Sequence, residues 1–127
     1  MSNIVISGAN EGIGFHMAKA LLEAGHRVAV LDIALDGASV LAETHPGSCL
    51  CIEADVRDFA ALERAVAEAA SSFGGIDAAV QNACLCPFES FADSTDEIYL
   101  SAYYVNFLGA VHLARAALPH MLSLIHI

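Results

Sequence analysis

Three glycines within eight residues, Gly8, Gly12 and Gly14 of SGANEGIG (7–14), follow a β-branched run near the start of this 127-residue chain. A strand that passes through glycines into a helix suits an anion. The first N–H groups of a helix have no intrahelical partner, and its dipole favours negative charge at that end. On this reading Gly8 makes the tight turn, and Gly12 lets a phosphate reach the main chain. Gly14 lets helix and strand pack closely. The spacing is G-x-x-x-G-x-G rather than G-x-G-x-x-G, so its weight comes from its place between a strand and an amphipathic helix.

A pyrophosphate cradle of this kind needs an acid at the end of the next strand to accept hydrogen bonds from an adenosine ribose. Asp32 closes VAVLD, twenty positions beyond Gly12. A carboxylate there repels a 2′-phosphate, Ile33 offers no compensating cation, and Glu11 adds an acid within the glycine loop. NAD is therefore expected over NADP. The alternative is that Asp32 only caps a loop.

Hydrophobic periodicity supplies the elements that must hold these groups. Strand-like runs cover 3–7, 26–33, 48–56 and 76–83, and each is apolar nearly throughout. Helical spacing links Ile13, Met17, Leu21 and Ala24 before Gly25. A short helix is expected over 36–47, and a longer one follows an Asp58 cap through Phe59, Leu62, Val66, Ala69 and Phe73. Ser94 and Glu97 read as a capping box opening a long helix that ends near Pro119. The order β-α-β-α-β-α-β-α predicts an α/β, doubly wound parallel sheet of Rossmann type, with about four strands and four helices. No repeat or linker divides it.

The composition excludes several function classes. Residues are 57% hydrophobic, and fifteen acids against five Lys plus Arg give a net charge of −10. That field disfavours nucleic acid and anionic lipid as partners. No apolar run is long enough to span a bilayer and no basic leader is visible, so a cytoplasmic location is expected. The four cysteines form two C-x-C pairs, Cys49/Cys51 and Cys84/Cys86, without zinc-type spacing, and no metal site is expected. Cys49 and Cys51 share a strand face and read as small buried hydrophobes.

Four ordered motifs resemble the short-chain dehydrogenase/reductase family over residues 3 to about 121. SGANEGIG matches the glycine motif, with Ser7 in place of threonine. Asp55–Val56 matches the pair after the third strand that touches adenine. Asn82 and Ala83 of QNAC match the motif after the fourth strand, and Asn106 stands where the family carries its tetrad asparagine. The resemblance implies a cofactor set of Gly8, Asn10, Glu11, Gly12, Ile13 and Gly14 in the first loop, with Asp32 and Ile33 after the second strand. Asp55, Val56, Asn82, Ala83 and Cys84 complete it, and Asn106 is the catalytic position. Gln81 and Cys84 depart from the family's asparagine and glycine.

The resemblance further implies an NAD-dependent oxidoreductase acting on a secondary alcohol or carbonyl, as a homodimer or homotetramer built partly with the long helix. Hydride transfer at a carbonyl carbon needs proton transfer at its oxygen. A tyrosine, ordinarily ionising near pH 10, serves as base only beside a cation. The family uses serine, tyrosine, lysine and asparagine, the last holding a relay water. Residues four after Tyr99, Tyr103 and Tyr104 are Tyr103, Phe107 and Leu108, and Lys19 is the only lysine, so no Y-x-x-x-K occurs. The expectation is a dinucleotide-binding domain over 1–121 that lacks the catalytic serine, tyrosine and lysine and is inactive alone. The tail 122–127, ending SLIHI, reads like translated adapter DNA and is expected to be non-native. An unpaired fourth strand and exposure of Tyr99, Tyr103 and Leu113 are expected to favour aggregation. A non-catalytic NAD sensor or interaction protein of the same fold is the alternative.

Overall fold

The computed structural model describes residues 1–121; the expected non-native tail, 122–127, lies outside the described residues. Strands β1 (Asn3–Ser7), β2 (Arg27–Asp32), β3 (Cys49–Glu53) and β4 (Ala78–Gln81) form one parallel sheet in the order β3-β2-β1-β4. In register, Ser7 stands beside Leu31 and Gln81, and Asp32 beside Glu53. The strand ends that carry the motif residues are thus brought to one edge.

Side chains alternate across a strand, and the two faces of the sheet bury different sets. Ile4, Ile6, Val28 and Val30 pack with Ala18, Leu22 and Leu41, under α1 (Gly12–Glu23) and α2 (Ser39–Thr44). Val5, Ala29 and Leu31 pack on the other face under α3 (Phe59–Phe73) and α5 (Gly109–Ala117). Helices on both faces explain why the strands are apolar almost without interruption. Cys49 is buried and Cys51 half-buried in the first core, and their thiols are free.

Several elements are shorter than their apolar runs, for local reasons. β4 stops at Gln81 because the N–H groups of Asn82 and Ala83 leave the ladder and donate to Ser7 Oγ, each at 3.2 Å. The helix expected over 36–47 begins only at Ser39, since Gly37 and Ala38 donate to the Asn10 side chain. Asp58 caps α3 as expected, accepting from the Ala61 N–H at 3.1 Å.

Three expectations need correction. The capping box of Ser94 and Glu97 does not form: α4 (Asp96–Tyr103) has Thr95 at its cap, and Ser94 Oγ donates to the Ser90 carbonyl. Glu97 sits in the first turn, where its own N–H and the Thr95 hydroxyl lower its carboxyl pKa. The long helix is not regular either, because a π turn over Tyr104–Leu108 separates α4 from α5. Leu113 is 2% exposed rather than open, because α5 turns Gly109, Leu113, Ala116 and Ala117 toward a small-residue face of α3. Tyr99 and Tyr103 are about half exposed.

β4 ends the sheet. Asp77 N–H turns to Asn3 O on β1, so Ile76 points its N–H the other way, to His120 O. Ile76 makes a single parallel bridge there with Met121, on the outer edge of the sheet. Among the described residues, no helix is long and apolar enough to cross a membrane.

Candidate functional site

The carboxyl ends of all four strands open onto one cleft of about 800 Å³. Strand order reverses between β2-β1 and β4, and such a crevice is where open α/β sheets bind ligands. Gly8, Asn10, Glu11, Gly12 and Ile13 line it from the first loop. Asp32 and Ile33 line it after β2, Asp55 and Val56 after β3, and Asn82, Ala83 and Cys84 after β4. Of the proposed cofactor set only Gly14 stands behind the wall. Ala54, Asp36, Leu85 and Val105 also line the cleft and were not singled out from sequence. Asp36, four residues past Asp32 and before Gly37, carried the one usable signal among them.

The three loop glycines differ in what surrounds them. Gly8 has φ +66°, and a Cβ there would lie 2.5 Å from Ala83 Cα, so the first loop and the post-β4 loop touch through main chain. A Cβ on Gly14 would lie 2.3 Å from Gly8 O and 2.8 Å from Ala9 Cα. Gly12, with φ +59°, has nothing within 4 Å of that position and faces the cleft. Glu11 caps α1 without a side-chain hydrogen bond, and the first turn holds no acid. The N–H groups of that turn are left for a ligand, and the open side at Gly12 admits a phosphate. The residues fit a dinucleotide's diphosphate.

The cleft floor is a hydrogen-bonded seam. The buried Ser7 hydroxyl donates to Gln81 Oε1 at 2.7 Å and accepts from Asn82 and Ala83. Gln81 Nε2 donates to Ala83 O at 3.0 Å, and Asn82 Nδ2 donates to Gly8 O at 2.6 Å. Gln81, a departure from the family's asparagine, therefore has partners at both ends of its amide. Cys84 is exposed at the cleft wall.

Just past β2, Asp32 Oδ2 accepts from Asn10 N–H at 3.0 Å and Oδ1 from Ala34 N–H at 3.3 Å. A carboxylate has about four acceptor positions, so both oxygens retain capacity for ribose hydroxyls while also capping the turn. Arg57 is the one cation among the described lining residues, and it is committed to Asp55. Its Nε lies 3.0 Å from each Asp55 oxygen and Nη2 lies 2.6 Å from Oδ2. This pairing holds the Asp55 carboxyl below the usual aspartate range. His112 Nδ1 lies 2.8 Å from the Val56 carbonyl and so carries the ring proton, fixing the Val56 main chain.

Asn106 lies on the π turn and does not itself line the cleft; its neighbour Val105 does. Such turns concentrate at functional sites. Its amide is joined to the main chain of Leu85, on the cleft wall. Phe88 and Phe91 are 96% and 90% exposed, standing clear of the cleft. Among the described residues, no three His, Cys, Asp or Glu side chains gather as a metal site.

Fold and cleft together define a Rossmann-type α/β unit, with its crevice at the reversal of strand order. Residues 2–125 match the short chain dehydrogenase family, and the chain belongs to it. It is 35% identical over 125 residues to L-rhamnose 1-dehydrogenase (NAD(P)(+)) of Azotobacter vinelandii, covering 93% of this chain and 49% of that one. It resembles the crystal structure of a short-chain dehydrogenase/reductase, glucose/ribitol dehydrogenase, from Brucella melitensis, with TM-score 0.87 and 30% identity. That match covers 93% of this chain and 51% of the other. The 3-ketoacyl-(acyl-carrier-protein) reductase of Brucella melitensis complexed with NADH aligns with TM-score 0.84 and 28% identity, over 92% of this chain and 49% of that one. The chain spans about half the length of the curated relatives it matches.

Proposed function

We propose that this chain forms the nucleotide-binding half of an NAD-dependent oxidoreductase that moves hydride between a secondary alcohol and its carbonyl. The observation that carries the reading is the single cleft into which the open main chain at Gly12 and the carboxylate of Asp32 both face. The first turn of α1 takes the diphosphate, Asp32 takes the adenosine ribose, and Asp55–Val56 borders the adenine. Asn82, Ala83 and Cys84 border the nicotinamide end. The bound nicotinamide supplies hydride chemistry; this chain's residues hold and orient it.

NAD is preferred over NADP because Glu11, Asp32 and Asp36 all line the cleft while Arg57 is held by Asp55. The 127 residues contain no Tyr-x-x-x-Lys. The reading therefore gives them nucleotide binding and assigns proton transfer to residues outside them. The chain alone turns over no alcohol, and Asn106 serves at the catalytic wall only in the intact enzyme. That enzyme is cytoplasmic and homo-oligomeric, with the exposed Tyr99, Leu100, Tyr103 and Phe107 of the long helix supporting assembly. Isothermal titration of the chain with NAD+ and NADP+ tests the reading. Saturable binding that prefers NAD+ is expected, and absence of any heat with either nucleotide overturns it.

A further inference from the structure

We propose that Asn10 is a positioning residue that clasps the glycine loop to the β2–α2 turn and so holds Asp36 beside Asp32 as a second nucleotide-selecting carboxylate. The proposal rests on the nucleotide-binding reading above and deepens it.

One residue supplies four hydrogen bonds between two loops. The Asn10 main-chain N–H donates to Asp32 Oδ2 at 3.0 Å, and its side-chain Nδ2 donates to Asp36 Oδ1 at 3.0 Å. Asn10 Oδ1 accepts from the N–H groups of Gly37 at 2.8 Å and Ala38 at 2.9 Å. An amide is the side chain suited to this place, because it donates and accepts from adjacent atoms without charge. Aspartate would lose the donor and face two carboxylates; serine is too short to span both. The main chains also touch: a Cβ on Gly37 would lie 2.3 Å from Asn10 O. Without a side chain at 37, the turn settles against the glycine loop and Asp36 stays on the cleft rim.

The consequence is chemical. Asp36 is exposed and lines the cleft, and Asn10 Nδ2 is its one side-chain hydrogen-bond partner among the described residues. Its other oxygen faces solvent and makes no hydrogen bond to another described residue. An acceptor-only group welcomes ribose hydroxyls and repels a 2′-phosphate, and two such groups on one rim sharpen the choice. Asn10 selects nucleotide through these two carboxylates.

The test measures NAD+ and NADP+ affinities of the full chain calorimetrically for wild type, Asn10→Ala, Asp36→Asn and the double variant. Asp36→Asn should narrow the NAD+ preference about fivefold by improving NADP+ binding, and Asn10→Ala should narrow it similarly by weakening NAD+. In the double variant the second change should add less than it does alone, as for groups acting through each other. A merely structural Asn10 would weaken both nucleotides equally, and an unchanged ratio in both single variants overturns the proposal. Asp36 is exposed, so Asp36→Asn remains informative if Asn10→Ala fails to fold. Amide hydrogen exchange of the nucleotide-free chain gives a second arm. Asn10→Ala should speed exchange at Gly37 and Ala38 about fivefold, and unchanged exchange there also overturns the clasp. If wild type shows that protection but binds neither nucleotide, the nucleotide reading has failed and the selecting role falls with it.

Discussion

The amide of Asn106 joins both main-chain groups of Leu85: Nδ2 donates to the carbonyl at 2.9 Å, and the Leu85 N–H donates to Oδ1 at 2.8 Å. A side chain on the long helix thereby takes the place of a neighbouring strand for the segment that follows β4. The segment 82–90 has no ladder of its own, so this pair fixes where Cys84 and Leu85 stand along the cleft. Replacing Asn106 with leucine keeps the branched heavy-atom shape and removes both bonds. The Leu85 amide should then exchange with solvent about fivefold faster, given one lost hydrogen bond of ordinary strength. Hydrogen exchange of a peptide covering 83–88 checks this, and equal rates would show that the loop is held by something else.

Much of this arrangement was legible in the chain. The alternation of apolar strands and amphipathic runs gave the layered sheet, since strands covered on both faces leave that pattern. The motif spacing brought twelve of thirteen proposed cofactor residues to one cleft, leaving Gly14 behind it. What stayed hidden was set by tertiary partners. No period in YYVNFLGAV marks a π turn, which inserts one residue and changes the face that follows. That change takes Gly109 against Val56, where a Cβ would lie 2.9 Å from Val56 Cγ2. The capping box failed because α4 starts one residue later, with Thr95 at its cap and Ser94 tied to the Ser90 carbonyl, a register that a four-residue motif does not record. The place of Asp36 depends on Asn10, twenty-six residues away, a relation that no local pattern carries.

Arg57 and Asp55 define a pH response. Hydrogen bonds from the guanidinium lower the Asp55 carboxyl pKa in the folded chain. A group depressed on folding contributes stability above its unfolded pKa, near 4, and that contribution disappears as pH falls through the lower folded value. The pair is largely exposed and screened, so its worth is under about 1 kcal/mol. In Arg57→Gln the Asp55 carboxyl should titrate nearer the ordinary range by carbon-detected NMR. Stability near neutrality should change little. An unmoved Asp55 titration would show that the ion pair is not what depresses it.

Cys84 and Cys86 are both exposed thiols, but only Cys84 lines the cleft. A nucleotide in the cleft should shield one and spare the other. For a ligand that excludes the reagent, protection scales as one plus the ratio of free ligand to Kd, or about elevenfold at ten times Kd. Alkylation by N-ethylmaleimide, followed by peptide mass spectrometry, should show Cys84 slowed by about that factor and Cys86 unaffected. Equal slowing of both would indicate a general tightening of the segment, and no slowing would place the nicotinamide end elsewhere.

Gly12 and Gly14 allow packing and binding to be separated two residues apart. At Gly14 a new Cβ meets main-chain atoms at 2.3 and 2.8 Å, and neither the Gly8 carbonyl nor Ala9 Cα can yield without moving β1 from α1. Gly14→Ala should therefore lower stability by at least about 2 kcal/mol, the range of overpacked cores, whatever it does to ligand affinity. At Gly12 the same methyl group meets nothing within 4 Å, and its intrinsic cost is the strain of φ +59° on an L-residue, about 1–2 kcal/mol. The methyl group would, however, stand in the opening through which an anion reaches the first N–H groups of α1. Gly12→Ala should then lose the smaller share of stability in urea titrations and the larger share of NAD+ affinity, about tenfold or more by calorimetry. An affinity loss no larger than its stability loss implies would mean that Gly12 serves the turn alone, and that the diphosphate lies away from it.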